Sequence, residues 1–146
     1  MSLYLFDTDM LTLYSDGHPR VCERVSTHAA RSLATSIITV EEQLSGWYTV
    51  LRQTKSDQQL VAAYEGMTYS IQFLAQIPVI SLTAGAVARC NAFRKAKLKI
   101  KTMDLRIACM ALEFDATLVT RNRVDFEVVP GLRIEDWTAP LSSSGT

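Results

Sequence analysis

The feature that most constrains this chain is the alternation of short apolar runs with longer segments of helical periodicity. Successive parallel strands need a crossover segment between them, usually a helix, so this alternation favours an α/β fold with a mainly parallel sheet. We predict four to five strands. The runs that predict them are residues 2–6, 33–38, 77–82 and 116–120, with a weaker fifth at 132–137.

Helices are predicted between these runs. A short helix follows the first run and ends at Gly17, and a second begins near Pro19. The segment 102–114 is apolar nearly all round, which predicts a buried helix. The remaining helices are predicted at residues 39–53, 57–76 and 83–97.

Length and composition are those of one globular domain. The chain has 146 residues, of which 48% are apolar and 21% are charged, and its net charge is zero. We expect one domain over residues 1–139 and a disordered tail over 140–146. No apolar run approaches the roughly 20 residues of a membrane span. The N-terminus lacks the pattern of a secretion signal, so we expect a cytoplasmic protein without membrane contact.

The cysteines and histidines do not predict a metal site. Cys22, Cys90 and Cys109 form no CxxC motif and are expected to be free thiols. The spacing of His18 and His28 does not match that of zinc ligands, and we expect both to be surface residues.

Carboxylates lie near the ends of the predicted strands. Asp7 ends the first run, Glu42 lies in the first turn after the second, and Asp104 begins the buried helix before the fourth. Parallel strands place their carboxyl ends at one edge of the sheet, so we expect these acids to converge. Clustered carboxylates repel one another unless a cation is present, and oxygen ligands suit Mg²⁺ or Mn²⁺. Such a cation can activate a water for phosphodiester cleavage.

Each acid also has a purely structural explanation. Asp9 is predicted to cap the first helix. Thr39 and Glu42 match a capping box, and the helix dipole favours Asp104 at a helix N-terminus. Taken singly, these explanations are at least as good as a catalytic role, and only the convergence favours function.

A basic segment follows a long stretch without acids. Residues 66–103 contain no carboxylate, and the basic residues cluster between 89 and 101. This segment is either a solvated helix face or a phosphate-binding rim beside the acidic centre. In the second case the candidate RNA contacts are Arg94, Lys95, Lys97, Lys99 and Lys101.

Four segments in this order resemble the PIN-domain family and, within it, the VapC-type toxins of bacterial toxin–antitoxin pairs. The segments are LFDTD, SIITVEEQLSGW, KTMDLRIACMALEFDATLVTRNRVDF and VPGLRIEDW. The resemblance runs from Leu3 to about Trp137. It implies a three-layer α/β/α sandwich and an endoribonuclease that depends on Mg²⁺ or Mn²⁺.

The resemblance also implies roles for the acids. Asp7, Glu42 and Asp104 correspond to the family's catalytic metal ligands. Glu42 is preferred to Glu41 because it stands four residues before Gly46, as in the family's ExxxG pattern.

The segment after the fourth strand departs from the wider family. Asn122, two residues after Thr120, stands where an Asp is common. An Asn supplies an oxygen ligand without charge, so we expect a single metal ion, bound by the three acids with Asn122. Thr120 and Asp125 are expected to support the site, although Asp125 more simply caps the local turn. Lys101 either lies near the scissile phosphate or points to solvent.

Partners follow from the resemblance as well. It implies an RNA substrate in the cytoplasm, a cognate antitoxin and a homodimer. The helices at 39–53 and 57–76 could supply a dimer or antitoxin surface, but we favour a core position for their apolar residues. Those residues include Trp47, Tyr48, Val50 and Leu51.

Two other functions fit parts of the sequence. The first is a non-catalytic PIN-like module that binds RNA or protein. The second is a haloacid-dehalogenase-like phosphatase, because LFDTDMLT resembles that motif and would make Asp7 a nucleophile. The spacing of Leu11 and Thr12 does not match that motif. Metal-dependent activity would separate the ribonuclease from the binding module, whereas a phosphoenzyme at Asp7 would favour the phosphatase.

Overall fold

The computed structural model describes residues 2–140, so the predicted tail beyond Pro140 lies outside the described residues. Five strands form one sheet in the order β3-β2-β1-β4-β5, and every neighbouring pair is parallel. This confirms the predicted sheet, although the strands are shorter than the apolar runs. They are β1 (Leu3–Phe6), β2 (Leu33–Ser36), β3 (Val79–Ile80), β4 (Ala116–Val119) and β5 (Ile134–Glu135).

Seven helices flank this sheet in the described part of the chain. They confirm the three-layer α/β/α sandwich, and a single 3₁₀ turn (Ala30–Ser32) precedes β2. The helices are α1 (Thr8–Ser15), α2 (Pro19–Ser26), α3 (Ile37–Arg52), α4 (Asp57–Leu74), α5 (Ala84–Lys95), α6 (Thr102–Glu113) and α7 (Arg123–Phe126).

The two faces of the sheet carry separate cores. Because successive strand residues point to opposite faces, Leu5 packs into a core with residues of α5 and α6, whereas Phe6 packs into a core with α1 and Trp137. Both faces are covered, and this explains why the strands read as continuous apolar runs. The predicted burial of α6 is confirmed by its run of buried residues from Ile107 to Ala111.

The predicted cap of α1 is wrong. The helix begins two residues earlier than a cap at Asp9 would place it, so Asp7, not Asp9, is the N-cap. The Oδ1 atom of Asp7 accepts a hydrogen bond from the Met10 amide at 2.8 Å. Asp9 lies in the first turn of the helix, where an acid is favoured by the dipole.

The predicted capping box in α3 is also wrong. Ile37 and Ile38 belong to the helix and not to the strand, so the N-cap is Ser36. Its hydroxyl accepts from the Thr39 amide at 3.1 Å. Glu42 is therefore left free of the helix end, in the second turn of α3.

The core positions expected for the apolar residues of α3 are wrong too. Tyr48 is 50% exposed and Val50 is 42% exposed, while Trp47 and Leu51 are only half-buried. Tyr48 lies on a side of α3 that α4 does not line, whereas Val50 lies at the open groove between the two helices. Val61 and Tyr64 of α4 are exposed as well.

The cysteines are free thiols as predicted, whereas both histidines have structural roles. His18 caps α2 through Nδ1, which accepts from the Val21 amide at 3.4 Å. His28 stacks on Trp137 at 4.8 Å between ring centroids. Both are half-buried, so the expected surface positions are only partly right. Across residues 2–140, no helix has both the length and the apolar character to cross a membrane.

The packing of α4 on α3 predicts opposite effects for two glycines. A side chain at Gly66 would overlap the indole ring of Trp47, whereas Gly46 faces open space within its helix. We expect Gly66→Ala to lower the free energy of unfolding by about 1–3 kcal/mol. The control, Gly46→Ala, should raise it by about 0.5–1 kcal/mol because alanine favours the helix. Urea unfolding measures both, and a similar effect of the two substitutions would contradict this packing.

Candidate active site

An open cleft of about 580 Å³ lies at the carboxyl edge of the sheet. Three of the predicted acids meet here from three separate parts of the chain: Asp7 follows β1, Glu42 lies in α3, and Asp104 lies in the first turn of α6. Their role in catalysis stays a prediction, whereas the structure shows that all three line the same cleft. The cleft is lined by Asp7, Thr8, Asp9, Glu42, Asp104, Ile107, Arg121 and Asn122.

Asp7 is buried and held by both of its oxygens. It is 6% exposed, and while Oδ1 accepts from the Met10 amide, Oδ2 accepts from the Thr120 hydroxyl at 2.5 Å. Burial raises the pKa of Asp7 from 3.8 to about 6, although these two hydrogen bonds oppose the rise. The neighbouring charges of Asp9 and Asp104 raise the pKa further. An ionised Asp7 is therefore a group that a nearby cation would stabilise.

Asp104 shares this electrostatic environment. Its pKa is raised first by burial and then by Glu42 and Asp125, whereas the charge of Lys101 opposes the rise. Lys101 immediately precedes α6, so its charge acts on the acid in the first turn of that helix. The Lys101 side chain is exposed and does not line the cleft, so its contact with the scissile phosphate stays a prediction.

Glu42 is oriented by the first residue of α1. Its Oε1 atom accepts from the Thr8 hydroxyl at 2.7 Å, and the same hydroxyl lies 3.0 Å from that of Thr39. Thr8 was not among the predicted site residues, and Thr39 was predicted only as part of a capping box. The one feature of the sequence that points to Thr8 as a site residue is its position between Asp7 and Asp9 at the end of a strand.

Thr120 supports Asp7, as predicted for its position. Besides donating to Asp7, its hydroxyl accepts from the Asn122 amide at 3.0 Å. The side-chain Nδ2 of Asn122 donates to Asp125 at 2.8 Å. Asp125 thus holds a side chain and not a backbone N–H group, so its predicted role as a cap is wrong. It does not line the cleft but acts on Asp104 through its charge.

Arg121 and Asp9 form an ion pair that the sequence analysis did not predict. Nε of Arg121 donates to Oδ2 of Asp9 at 2.6 Å, and Nη2 donates to Oδ1 at 3.1 Å. Both side chains line the cleft. No sequence pattern indicates this pair, because the two residues are 112 positions apart.

The basic segment does not enter the cleft. The five predicted RNA contacts are exposed, and none is among the residues that line the cleft. Four of them lie on the last turn of α5 or just beyond it, and only the charge of Lys101 reaches the acids. Their contact with RNA stays a prediction. These residues are Arg94, Lys95, Lys97, Lys99 and Lys101.

The donor atoms of the cleft fit a hard divalent cation. Within residues 2–140, no three His, Cys, Asp or Glu side chains lie close enough to enclose an ion by themselves. Mg²⁺ does not require this, because it keeps several waters and commonly uses only one or two carboxylates. The charge of Asp104 contributes to the raised pKa of Asp7, and a cation bound in the cleft would oppose that effect.

The raised pKa of Asp7 predicts a pH-dependent effect of Asp7→Asn in metal-free protein. Between pH 3.8 and about 6 the folded protein retains a proton that the unfolded chain has lost. Ionisation of Asp7 therefore lowers the free energy of unfolding as the pH rises through that window. Above the window the loss of stability has reached its full size. Asparagine avoids the penalty and still caps a helix.

We expect Asp7→Asn to exceed the wild type in free energy of unfolding by up to about 3 kcal/mol near pH 8, and to show little difference near pH 4. Urea unfolding in EDTA across this range measures the difference. A difference that stays constant with pH would contradict the buried, charge-destabilised Asp7 described above.

No protein-family model matches the chain, but individual proteins do. It is 30% identical to Ribonuclease VapC1 of Haemophilus influenzae strain R2866 over 138 residues, which cover 93% of this chain and 98% of the relative. A chain in the crystal structure of VapBC2 from Rickettsia felis, bound to a promoter DNA fragment, aligns with a TM-score of 0.70 and 25% identity, covering 92% and 98% of the two chains.

A second structure agrees. A chain of VapBC-1 from nontypeable Haemophilus influenzae aligns with a TM-score of 0.68 and 26% identity, covering 94% of this chain and 99% of the other. In each comparison the similarity extends over nearly the whole length of both chains.

Proposed function

Because this chain belongs to the VapC family of PIN-domain ribonucleases, we propose that it is the endoribonuclease toxin of a toxin–antitoxin pair and acts on RNA in the cytoplasm. The observation that carries the proposal is the cleft in which Asp7, Glu42 and Asp104 meet. The reaction is hydrolysis of a phosphodiester bond. The relatives are ribonucleases, so the phosphatase interpretation of the LFDTD segment is not retained.

Mg²⁺ or Mn²⁺ is the cation that we propose for this cleft. Asp7 and Asp104 would hold it through carboxylate oxygens, whereas Glu42 and the carbonyl oxygen of Asn122 would reach it through water, because no three acids lie close enough to enclose an ion by themselves within residues 2–140. Asn122 adds no charge, which supports one ion over two. When bound, such an ion activates a water and offsets the charge that develops on the phosphate.

The side chains around this donor set prepare it for that role. Thr120 and the Met10 amide fix both oxygens of Asp7, so its carboxylate needs no rearrangement when substrate arrives. Thr8 occupies only one oxygen of Glu42. The other, Oε2, makes no hydrogen bond within residues 2–140, and we assign it the proton of the attacking water.

The exposed apolar face of α3 and α4 is the surface that we propose for protein partners. The similar structures from Rickettsia felis and Haemophilus influenzae are of VapBC proteins, and this supports an antitoxin partner for this chain. Exposed apolar side chains that cluster on a surface mark sites of protein interaction. A second copy of the chain, as in the predicted homodimer, is the other occupant. The exposed residues of this face include Tyr48, Val50, Leu60, Val61, Tyr64 and Tyr69.

Cleavage of RNA by the purified, antitoxin-free chain tests the proposed activity. We expect discrete products from total cellular RNA with Mg²⁺ or Mn²⁺ and none with EDTA. Asp7→Asn and Asp104→Asn should each lower the rate by more than about a hundredfold, because each removes a charged cation ligand. Asp57→Asn is the matched control, since this acid begins α4 and does not line the cleft.

Two results would contradict the proposal. Products that persist in EDTA and with Asp7→Asn would show that the observed cleavage does not come from this cleft. RNA binding without cleavage by the wild type would favour the non-catalytic binding module.

A further inference from the structure

Arg121 is the one positively charged side chain among the described residues that line the cleft. The other charged residues there are acids, which repel the phosphates of RNA. Arg121 is 50% exposed, and its partner Asp9 is 48% exposed. The guanidinium is thus oriented by a carboxylate and remains open to the cleft.

The turn after β4 explains why this arginine occupies the cleft. Thr120 is fixed by Asp7, and the side chain of Asn122 is fixed by Asp125. Both neighbours of Arg121 are therefore anchored by side-chain hydrogen bonds. This anchoring sets the backbone from which the arginine extends, and Asp9 then sets the direction of its guanidinium group.

The ion pair is not needed to join α1 to the end of β4. The buried bond between Asp7 and Thr120 already joins these two elements, and the Asp7 amide also donates to the Val119 carbonyl at 3.1 Å. An exposed ion pair adds little stability to such a connection. The bridge between Arg121 and Asp9 therefore calls for an explanation other than stability.

We propose that Arg121 binds a phosphate of the RNA substrate and that Asp9 holds it in position until the phosphate displaces the carboxylate. A phosphate presents two oxygens to the guanidinium fork as a carboxylate does, so the exchange conserves the geometry of the hydrogen bonds. This inference rests on the proposed ribonuclease function and assigns to Arg121 the binding of the RNA backbone in the same cleft.

Binding of a labelled single-stranded RNA oligonucleotide in EDTA tests this inference without catalysis. We expect Arg121→Gln to weaken binding about tenfold, because a charge-assisted hydrogen bond is lost. The slope of log affinity against log salt should become shallower by about 0.7, the contribution of one phosphate contact on a single strand. Arg123→Gln is the matched control: Arg123 carries the same charge two residues away and does not line the cleft. It should have a much smaller effect.

A double-mutant cycle separates the role of Asp9 from general charge. If Asp9 competes with phosphate for Arg121, Asp9→Asn should tighten RNA binding several-fold in the wild-type background and clearly less in Arg121→Gln. An equal gain in both backgrounds would mean that Asp9 only repels RNA, and the inference would be wrong. Equal losses from Arg121→Gln and Arg123→Gln would also overturn it.

Folding and the proposed function are controlled separately. Arg121→Lys keeps the charge without the fork and should bind RNA with intermediate affinity, whereas affinity equal to that of the wild type would contradict bidentate binding. Thermal unfolding of each variant identifies losses that come from misfolding. If the wild type cleaves RNA with Mg²⁺ and Arg121→Gln does so with the same KM, only this inference fails. If the wild type neither binds nor cleaves RNA, the proposed function fails with it.

Discussion

The buried carboxylate of Asp7 joins the parts of this molecule that must meet at its cleft. It ends β1, caps α1 through the Met10 amide and accepts the hydroxyl of Thr120 beyond β4. Burial makes its ionised form unfavourable, so these hydrogen bonds also keep the charge tolerable within the fold. The same side chain therefore joins β1, α1 and the end of β4 and also supplies the central donor of the candidate site.

Much of this arrangement could be predicted from the sequence. The alternation of apolar runs and helices determines a parallel sheet, and a parallel sheet brings acids such as Glu42 and Asp104 to one edge. The boundaries were less certain, because apolar residues such as Ile37 suit a strand and a buried helix start equally well. The predicted start of α1 is two residues late for a similar reason, and this error assigns the cap to Asp9 in place of Asp7.

Other features had no signal in a single sequence. The hydrogen bond from Thr8 to Glu42 and the ion pair of Arg121 with Asp9 join distant positions, and hydroxyl or guanidinium groups at strand ends form no periodic pattern. Periodicity also shows that a helix has an apolar face without showing what covers it. The face of α3 that includes Tyr48 is covered by neither the sheet nor α4 in the described chain, and this is why it was misassigned to the core.

The contact between Asp7 and Thr120 has a consequence for synthesis of the protein on the ribosome. The two residues are 113 positions apart, so the ribosome must add more than a hundred further residues after Asp7 before its partner is made. Strand β1 also waits for β4, which is its neighbour in the sheet. A nascent or prematurely released chain that lacks Thr120 therefore cannot assemble this cleft. The complete cleft exists only in molecules whose translation has passed Thr120.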